Sequence, residues 1–245
     1  MGVSVSERLV PGSEMSRYAF VHGVRRTKQT LADWQTHPWP ALYRWFSGSL
    51  AAAIALLGAT WLIAGVSRSN GYLVQTHTPP FNVGDVSDVL HIVGRNLLVL
   101  ALHAMACVAG FIAGSSLPMQ APARRGISRL IHERGGRIAI GFVVLATTFS
   151  LTAQAIVLGG ETAAVAARLG TSPGVLLVVL LPHALIELTA LFLPLAAWII
   201  ASRRGDWDQL LAATVVTVAI ALPMLVFAAL IEVYVSPHVM HALVG

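Results

Sequence analysis

Five apolar stretches dominate this sequence, and each is long enough to cross the hydrocarbon core of a bilayer as a helix. A span needs about 20 residues, because each helical residue rises ~1.5 Å and the core is ~30 Å thick. In lipid the backbone polar groups must be satisfied within the segment, so helices are expected rather than open sheets. The sequence therefore predicts an all-α, polytopic transmembrane helix bundle with spans near 46–66, 97–116, 138–158, 175–201 and 209–235.

The composition excludes most classes of soluble protein. Hydrophobic residues make up 56% of the 245 residues and charged residues only 11%, whereas about a quarter of a soluble domain is usually charged. The single cysteine, Cys107, excludes an internal disulfide and a cysteine-based zinc site, since each needs at least two thiols. In so apolar a chain, the net charge of +5 favours the lipid bilayer as partner, and we expect no nucleic-acid partner.

The 16 Lys and Arg residues are distributed unevenly between alternate connections. The N-terminal segment and the second and fourth connections hold 13 of them, whereas the remaining connections and the C-terminal tail hold 3. Because cytoplasmic loops are enriched in Lys and Arg, we expect a bacterial cell-membrane protein with a cytoplasmic N-terminus and an extracytoplasmic C-terminus. The charged residues before the first span also predict a retained anchor rather than a cleaved signal peptide.

Residues 1–45 are expected to form a cytoplasmic N-terminal segment ahead of a transmembrane domain at 46–245. Residues 13–35 lack proline and contain basic residues between apolar ones, as an amphipathic helix in the membrane interface would. A helix that docks on a partner would show the same pattern. The apolar positions near helical spacing are Phe20, Val24, Leu31 and Trp34.

Two further features flank the first span. An aromatic group at its start is typical of the belt that anchors spans at the interface. The connection 67–96 on the expected outer side contains Pro79 and Pro80, and its apolar positions from 86 to 93 predict a short, half-buried helix. The members of the aromatic group are Trp34, Trp39, Tyr43 and Trp45.

Four ionisable side chains lie inside the predicted spans, namely His103, His183, Glu187 and Glu232. Each costs about 2.5–3.5 kcal/mol at bilayer depth, so these four residues are the most informative about function. His183 and Glu187 are four residues apart and share a helix face, so they can form a hydrogen bond or an ion pair. With the expected orientation, Glu187 lies ~18 Å below the outer boundary, and the other three, together with Gln154, lie within ~5–12 Å of it. The sequence thus predicts a polar cluster from four spans in the outer half of the membrane.

Three interpretations of this cluster stay open. The His183–Glu187 pair can fix helix packing, the cluster can line a cavity for a ligand, peptide or proton, or the side chains can coordinate a metal. Metal coordination has the weakest support, since the sequence has no H-E-x-x-H motif, and we assign neither a metal ligand nor a cofactor. We assign no catalytic residue either, because no Ser or Asp is placed beside a base in a recognisable pattern.

The last two spans carry two motifs, L-P-H-A-L-I-E-L-T-A at 181–190 and A-L-I-E-V-Y-V-S-P at 229–237. They resemble the stage II sporulation protein M family, whose pattern reads approximately P-H-G-x-x-E-L-x-A and then A-x-x-I-E-x-[FY]-V-[ST]-P. The resemblance covers about residues 90–240, and Ala184 stands where the family prefers glycine. Besides the histidine and the two glutamates, the motif-associated residues are Pro182, Pro237 and Asn96, which begins a segment similar to the asparagine-led segment of the family.

The resemblance implies a non-enzymatic membrane scaffold or a subunit of a membrane protein complex, because the name-giving members hold peptidoglycan-degrading enzymes at the engulfing septum. Protein partners, or further copies of this chain, are then expected in the membrane. The alternative is a transporter or export-permease component in which the same cluster is an outward-open substrate or proton site. An intramembrane metalloenzyme is the third hypothesis. The sequence has no G-x-x-x-x-G-K-[ST] motif, so an ATP-driven role requires a separate ATPase subunit.

Overall fold

A computed structural model describes residues 12–69, 84–120 and 125–244, and these residues form helices joined by short turns, without a strand. Two π-helical turns, Ile112–Ser116 and Ile231–Val235, and a 3-10 turn, Trp207–Gln209, continue or precede the helices. The predicted all-α bundle is confirmed. The helices are α1 Gly12–Thr36, α2 Trp39–Ser69, α3 Val86–Phe111, α4 Leu117–Gln120, α5 Gly126–Arg168, α6 Pro173–Arg204, α7 Leu210–Leu230 and α8 Ser236–Val244.

Five helical stretches are long and apolar enough to cross a membrane, as predicted. Most extend well beyond the predicted spans at one end or at both. Length and composition thus indicate a multi-pass membrane protein. The stretches are Trp39–Arg68, Val86–Ser115, Glu133–Arg168, Pro173–Arg204 and Trp207–Leu243.

The second span begins earlier than the sequence predicts. The helix predicted from 86 to 93 forms, but it is the first part of α3, which is continuous from Val86 to Phe111 and not a short helix. The Asp85 side chain caps α3 by accepting hydrogen bonds from the backbone N–H groups of Ser87 and Asp88, at 2.7 and 3.2 Å. These bonds lower the pKa of the Asp85 carboxyl below its usual value. Pro79 and Pro80 of the same connection lie outside the described residues.

Local sequence signals explain the bounds of α6. Ser172 is its N-cap, and its hydroxyl accepts a hydrogen bond from the Val175 N–H at 3.2 Å. Pro173 follows at the first helical position, where its missing N–H costs nothing. The helix ends at Gly205, whose φ of 74° is the left-handed conformation that favours glycine.

Helix α6 is the centre of the bundle. Its residues from 189 to 198 are all buried, and the helix packs mainly against α2 and α7 and also against α3. A helix that is apolar on every side is expected in such a central position. Helix α5 lies at the outside, packs mainly against α2 and leaves Leu145 and Phe149 exposed.

Helix α1 is formed as predicted, and it docks on one end of its own bundle. The rings of Trp34 and Trp45 pack edge to face, with centroids 5.0 Å apart. Gly23 faces the Phe111 ring, since a Cβ atom there would lie 2.7 Å from the ring. Trp45 is therefore part of the core rather than of an aromatic belt, whereas Trp39 is 76% exposed.

Candidate functional site

The structure brings Glu187 of α6 and Glu232 of the second π-helical turn together at α3. The two carboxyl groups are close enough for their charges to repel each other, and the Arg95 guanidinium is close enough to attract both. The Asn96 side chain also approaches Glu187. We call Arg95, Asn96, Glu187 and Glu232 the carboxylate group; three separate helical segments contribute to it.

Two polar atoms of the carboxylate group remain unsatisfied. Among the described residues, Glu232 Oε2 and Asn96 Nδ2 are buried without a hydrogen-bond partner of acceptable geometry. Leaving such an atom unpaired costs about 1–3 kcal/mol. Glu187 and Glu232 are half-buried and Arg95 is exposed, so the group reaches the surface of the bundle. It can therefore accept a proton, a cation or a hydrogen-bond donor from another molecule.

A π-helical turn places Glu232 in this group. The Ser236 N–H donates to the Ile231 carbonyl five residues earlier, which widens the helix by one residue at this point. Turns of this kind are rare, and they occur frequently at functional sites. The sequence pattern alone contains no signal for the turn, although the turn coincides with the second motif.

His183 contacts a different partner from the one that its spacing suggests. Its Nδ1 atom lies 2.9 Å from the Ser236 hydroxyl, and both side chains are buried. Among the described contacts, His183 makes no hydrogen bond to Glu187. The contact joins α6 to the beginning of α8, and α8 also packs against α6 through Met240. His183 is thus a packing contact between two helices.

We expect the His183–Ser236 contact to contribute a measurable coupling free energy. His183→Ala, Ser236→Ala and the double variant should show a coupling of about 0.5–1.5 kcal/mol in a double-mutant cycle of unfolding in detergent, the usual net value of a hydrogen bond. His238→Ala is the control, because His238 is exposed and its described hydrogen bond goes to the Tyr234 carbonyl four residues earlier. Additive effects of His183→Ala and Ser236→Ala would contradict the expected coupling.

His103 lies apart from the carboxylate group. Its Nδ1 atom is 2.8 Å from the Leu191 carbonyl oxygen, and its ring lies 6.0 Å from the Phe192 ring. One turn further along α3, the Cys107 thiol donates to the Pro194 carbonyl at 3.2 Å. Because α3 begins at Val86, His103 lies near the middle of its span instead of close to one end. Both side chains join α3 to α6.

Gln154 does not join the other polar residues. Its side chain is exposed, and its amide donates to the Ser150 hydroxyl of the same helix at 3.1 Å. The reason is the rotation of α5, which turns the neighbouring Ala155 and Gly159 towards the bundle. Gln154 is therefore not part of the cluster that the sequence predicts.

Arg95 and Ser236 interact with the predicted site residues but were not themselves among them. Arg95 directly precedes Asn96 in the segment that resembles the asparagine-led segment of the family, but it was not assigned to the site. Ser236 lies inside the second motif, between Val235 and Pro237, and its position there could have indicated a role. Within the described part of the chain, no three His, Cys, Asp or Glu side chains lie close enough together to hold a metal ion.

Comparison with known proteins identifies the part of the chain that contains both motifs. Residues 134–237 match the family model of stage II sporulation protein M. The resemblance that the sequence shows to this family is thereby confirmed over α5, α6, α7 and the beginning of α8. The matched region includes His183, Glu187 and Glu232, whereas Asn96 lies before it. No curated protein and no solved structure matches the chain.

Proposed function

We propose that this protein is a non-enzymatic membrane scaffold, or a subunit of a membrane protein complex, that holds a partner through the carboxylate group. The observation that supports it is the pair of unsatisfied buried atoms, Glu232 Oε2 and Asn96 Nδ2, beside the exposed Arg95. The two other ionisable side chains that the sequence places inside the spans, His103 and His183, are already bonded within the bundle. Of the ionisable side chains that the structure describes inside the spans, Glu232 combines an unused hydrogen-bonding atom with a position near the surface of the bundle.

The charges of the group indicate the chemistry of the partner. Two carboxyl groups face one guanidinium, so the group has an excess of negative charge when both carboxyls are ionised. A Lys, Arg or hydroxyl side chain at the end of a partner's transmembrane helix would supply the missing donor to Glu232. Interhelical hydrogen bonds of this kind are worth about 0.6–2 kcal/mol in membranes, and they fix which helices associate.

We also propose that the N-terminus is cytoplasmic and the C-terminus extracytoplasmic, in a bacterial cell membrane. The distribution of basic residues supports this orientation, because α1, the beginnings of α2 and α5 and the end of α6 carry most of the Lys and Arg side chains. The carboxylate group would then face outwards. A topology reporter that is active only in the cytoplasm should be active when fused before α1 and inactive after α8, and the reverse result would reject the orientation.

The test is co-purification of the full chain from native membranes in mild detergent, after chemical cross-linking. The unmodified protein should return at least one stoichiometric partner, and Glu232→Gln should reduce its recovery about tenfold, which corresponds to ~1.4 kcal/mol of lost contact. Glu161→Gln is the matched control, since Glu161 is exposed on α5 and the charge change is the same. Equal recovery with Glu232→Gln, or no stoichiometric partner in several detergents, would contradict the proposal.

A transporter or export-permease component is the second candidate. The observation in its favour is the interaction between carboxyl groups of two different helical segments, one of them in a π-helical turn, which is typical of proton and cation sites in membranes. This candidate requires solute or proton flux in proteoliposomes that Glu187→Gln abolishes. Flux that is unchanged in Glu187→Gln, or absent from the unmodified protein, would exclude it.

A further inference from the structure

A polar cavity of about 190 Å³ lies where α1 meets the ends of α2 and α6, remote from the carboxylate group. Its lining includes the guanidinium-bearing residues Arg44 and Arg204, together with His37 and the single carboxylate of Asp206. Neither arginine forms an ion pair with any described residue. The cavity therefore has a positive balance of charge and two guanidinium groups that are available to an anion.

An apolar groove of about 340 Å³ adjoins this cavity. Leu31 of α1, Leu42 of α2 and Val216 of α7 line the groove, and Trp34 and Trp45 line both the groove and the cavity. Each space exceeds by far the ~10–15 Å³ that one water molecule requires. The two tryptophans thus form a shared wall between a basic and an apolar compartment.

We propose that the cavity and the groove together bind one anionic phospholipid. Arg44 and Arg204 hold the phosphate, because the planar guanidinium fork matches phosphate oxygens and forms charge-assisted hydrogen bonds. The groove holds the first part of an acyl chain. The site lies at the level of exposed aromatic residues such as Trp39, where headgroups meet the hydrocarbon core.

The adjoining groove distinguishes a lipid from a free phosphate. An inorganic phosphate or a soluble phosphate ester would use the arginines but would leave the apolar compartment empty, whereas a phospholipid fills both. Basic pockets between transmembrane helices are a known form of anionic-lipid site. Because α1 supplies part of both compartments, a bound lipid would also link α1 to the bundle.

The proposal is tested by lipid binding to the purified, delipidated full chain in detergent, measured by native mass spectrometry. Dioleoyl phosphatidylglycerol should bind, and the double variant Arg44→Gln/Arg204→Gln should weaken its binding at least tenfold, since each lost charge-assisted contact to phosphate reduces affinity by about that factor. Arg137→Gln/Arg203→Gln is the matched control, because both residues are exposed, neither lines the cavity and the loss of charge is equal. Circular dichroism of each variant without lipid checks that the fold is kept.

Further binding measurements distinguish a phospholipid from a free phosphate. Phosphatidylcholine with the same chains should bind at least tenfold more weakly, and inorganic phosphate or glycerol phosphate should not displace phosphatidylglycerol at equal concentration. Arg44→Lys/Arg204→Lys keeps the charge and should weaken binding less than the glutamine variant. Wild-type affinity in the glutamine variant, equal loss in the control, or displacement by inorganic phosphate would overturn the proposal.

Discussion

Gly159→Ala is expected to destabilise the bundle by about 1–3 kcal/mol, the usual cost of adding a methyl group where no space is left. Gly159 lies on α5 in direct contact with α2. An added Cβ atom would lie 2.6 Å from Ile63 Cγ2 and 3.0 Å from the Thr60 carbonyl oxygen. The branched side chain and the backbone have little freedom to move, so the two helices would have to separate.

Gly141→Ala provides the control for this effect, because it is the same substitution in the same helix. Apart from the surrounding backbone of α5 itself, no described atom lies within 4 Å of a Cβ built on Gly141. The free energy of unfolding of the Gly141→Ala variant in detergent should stay within about 0.5 kcal/mol of wild type, the usual range at surface positions. Equal effects of Gly141→Ala and Gly159→Ala would show that α5 and α2 are not packed as the structure describes.

Trp198→Ala is expected to destabilise the bundle by about 3 kcal/mol. Trp198 is 1% exposed in the centre of the bundle, and its ring lies 6.5 Å from the ring of Trp207. Gly110 of α3 faces the same ring and leaves room for it. The expected value is at the low end of the range for buried Trp→Ala because lipid is as apolar as the core, so the loss comes mainly from packing contacts.

Trp39→Ala is the matched control for Trp198→Ala. Trp39 is 76% exposed, so its removal leaves no internal cavity and should cost less than about 1 kcal/mol. Unfolding of both variants in the same detergent, followed by tryptophan fluorescence, measures the difference. A Trp198→Ala variant as stable as Trp39→Ala would mean that α6 is not the packed centre of the bundle.

These stability variants also separate packing from the proposed functions. Gly159 and Trp198 contribute neither to the carboxylate group nor to the lining of the proposed lipid site. If Glu232→Gln loses the partner while its stability is unchanged, the loss reports on the carboxylate group. If Arg44→Gln/Arg204→Gln loses the lipid while its stability is unchanged, the loss reports on the lipid site. The same loss together with a lower unfolding midpoint would report on the fold.

The sequence alone was sufficient to predict the class of fold and the number of spans. Helices are required wherever about 20 apolar residues must cross lipid, so the five spans follow from composition and length. The predicted bounds of the spans were less accurate. Helix α3, for example, begins at Val86 after its N-cap Asp85, a start that local hydropathy does not reveal. The family resemblance was likewise readable, because His183, Glu187 and Glu232 are rare residue types at bilayer depth.

The contacts of those polar residues were decided by tertiary structure. Spacing along one helix determines which residues share a face, but it does not determine which neighbouring helix that face meets. Rotation of α5 turns Gln154 outwards, and the start of α8 brings Ser236 to His183. Glu187 therefore meets Glu232 and Arg95 instead of the histidine one turn away, because the packing of three helices, and not the spacing in one, sets the distances between side chains.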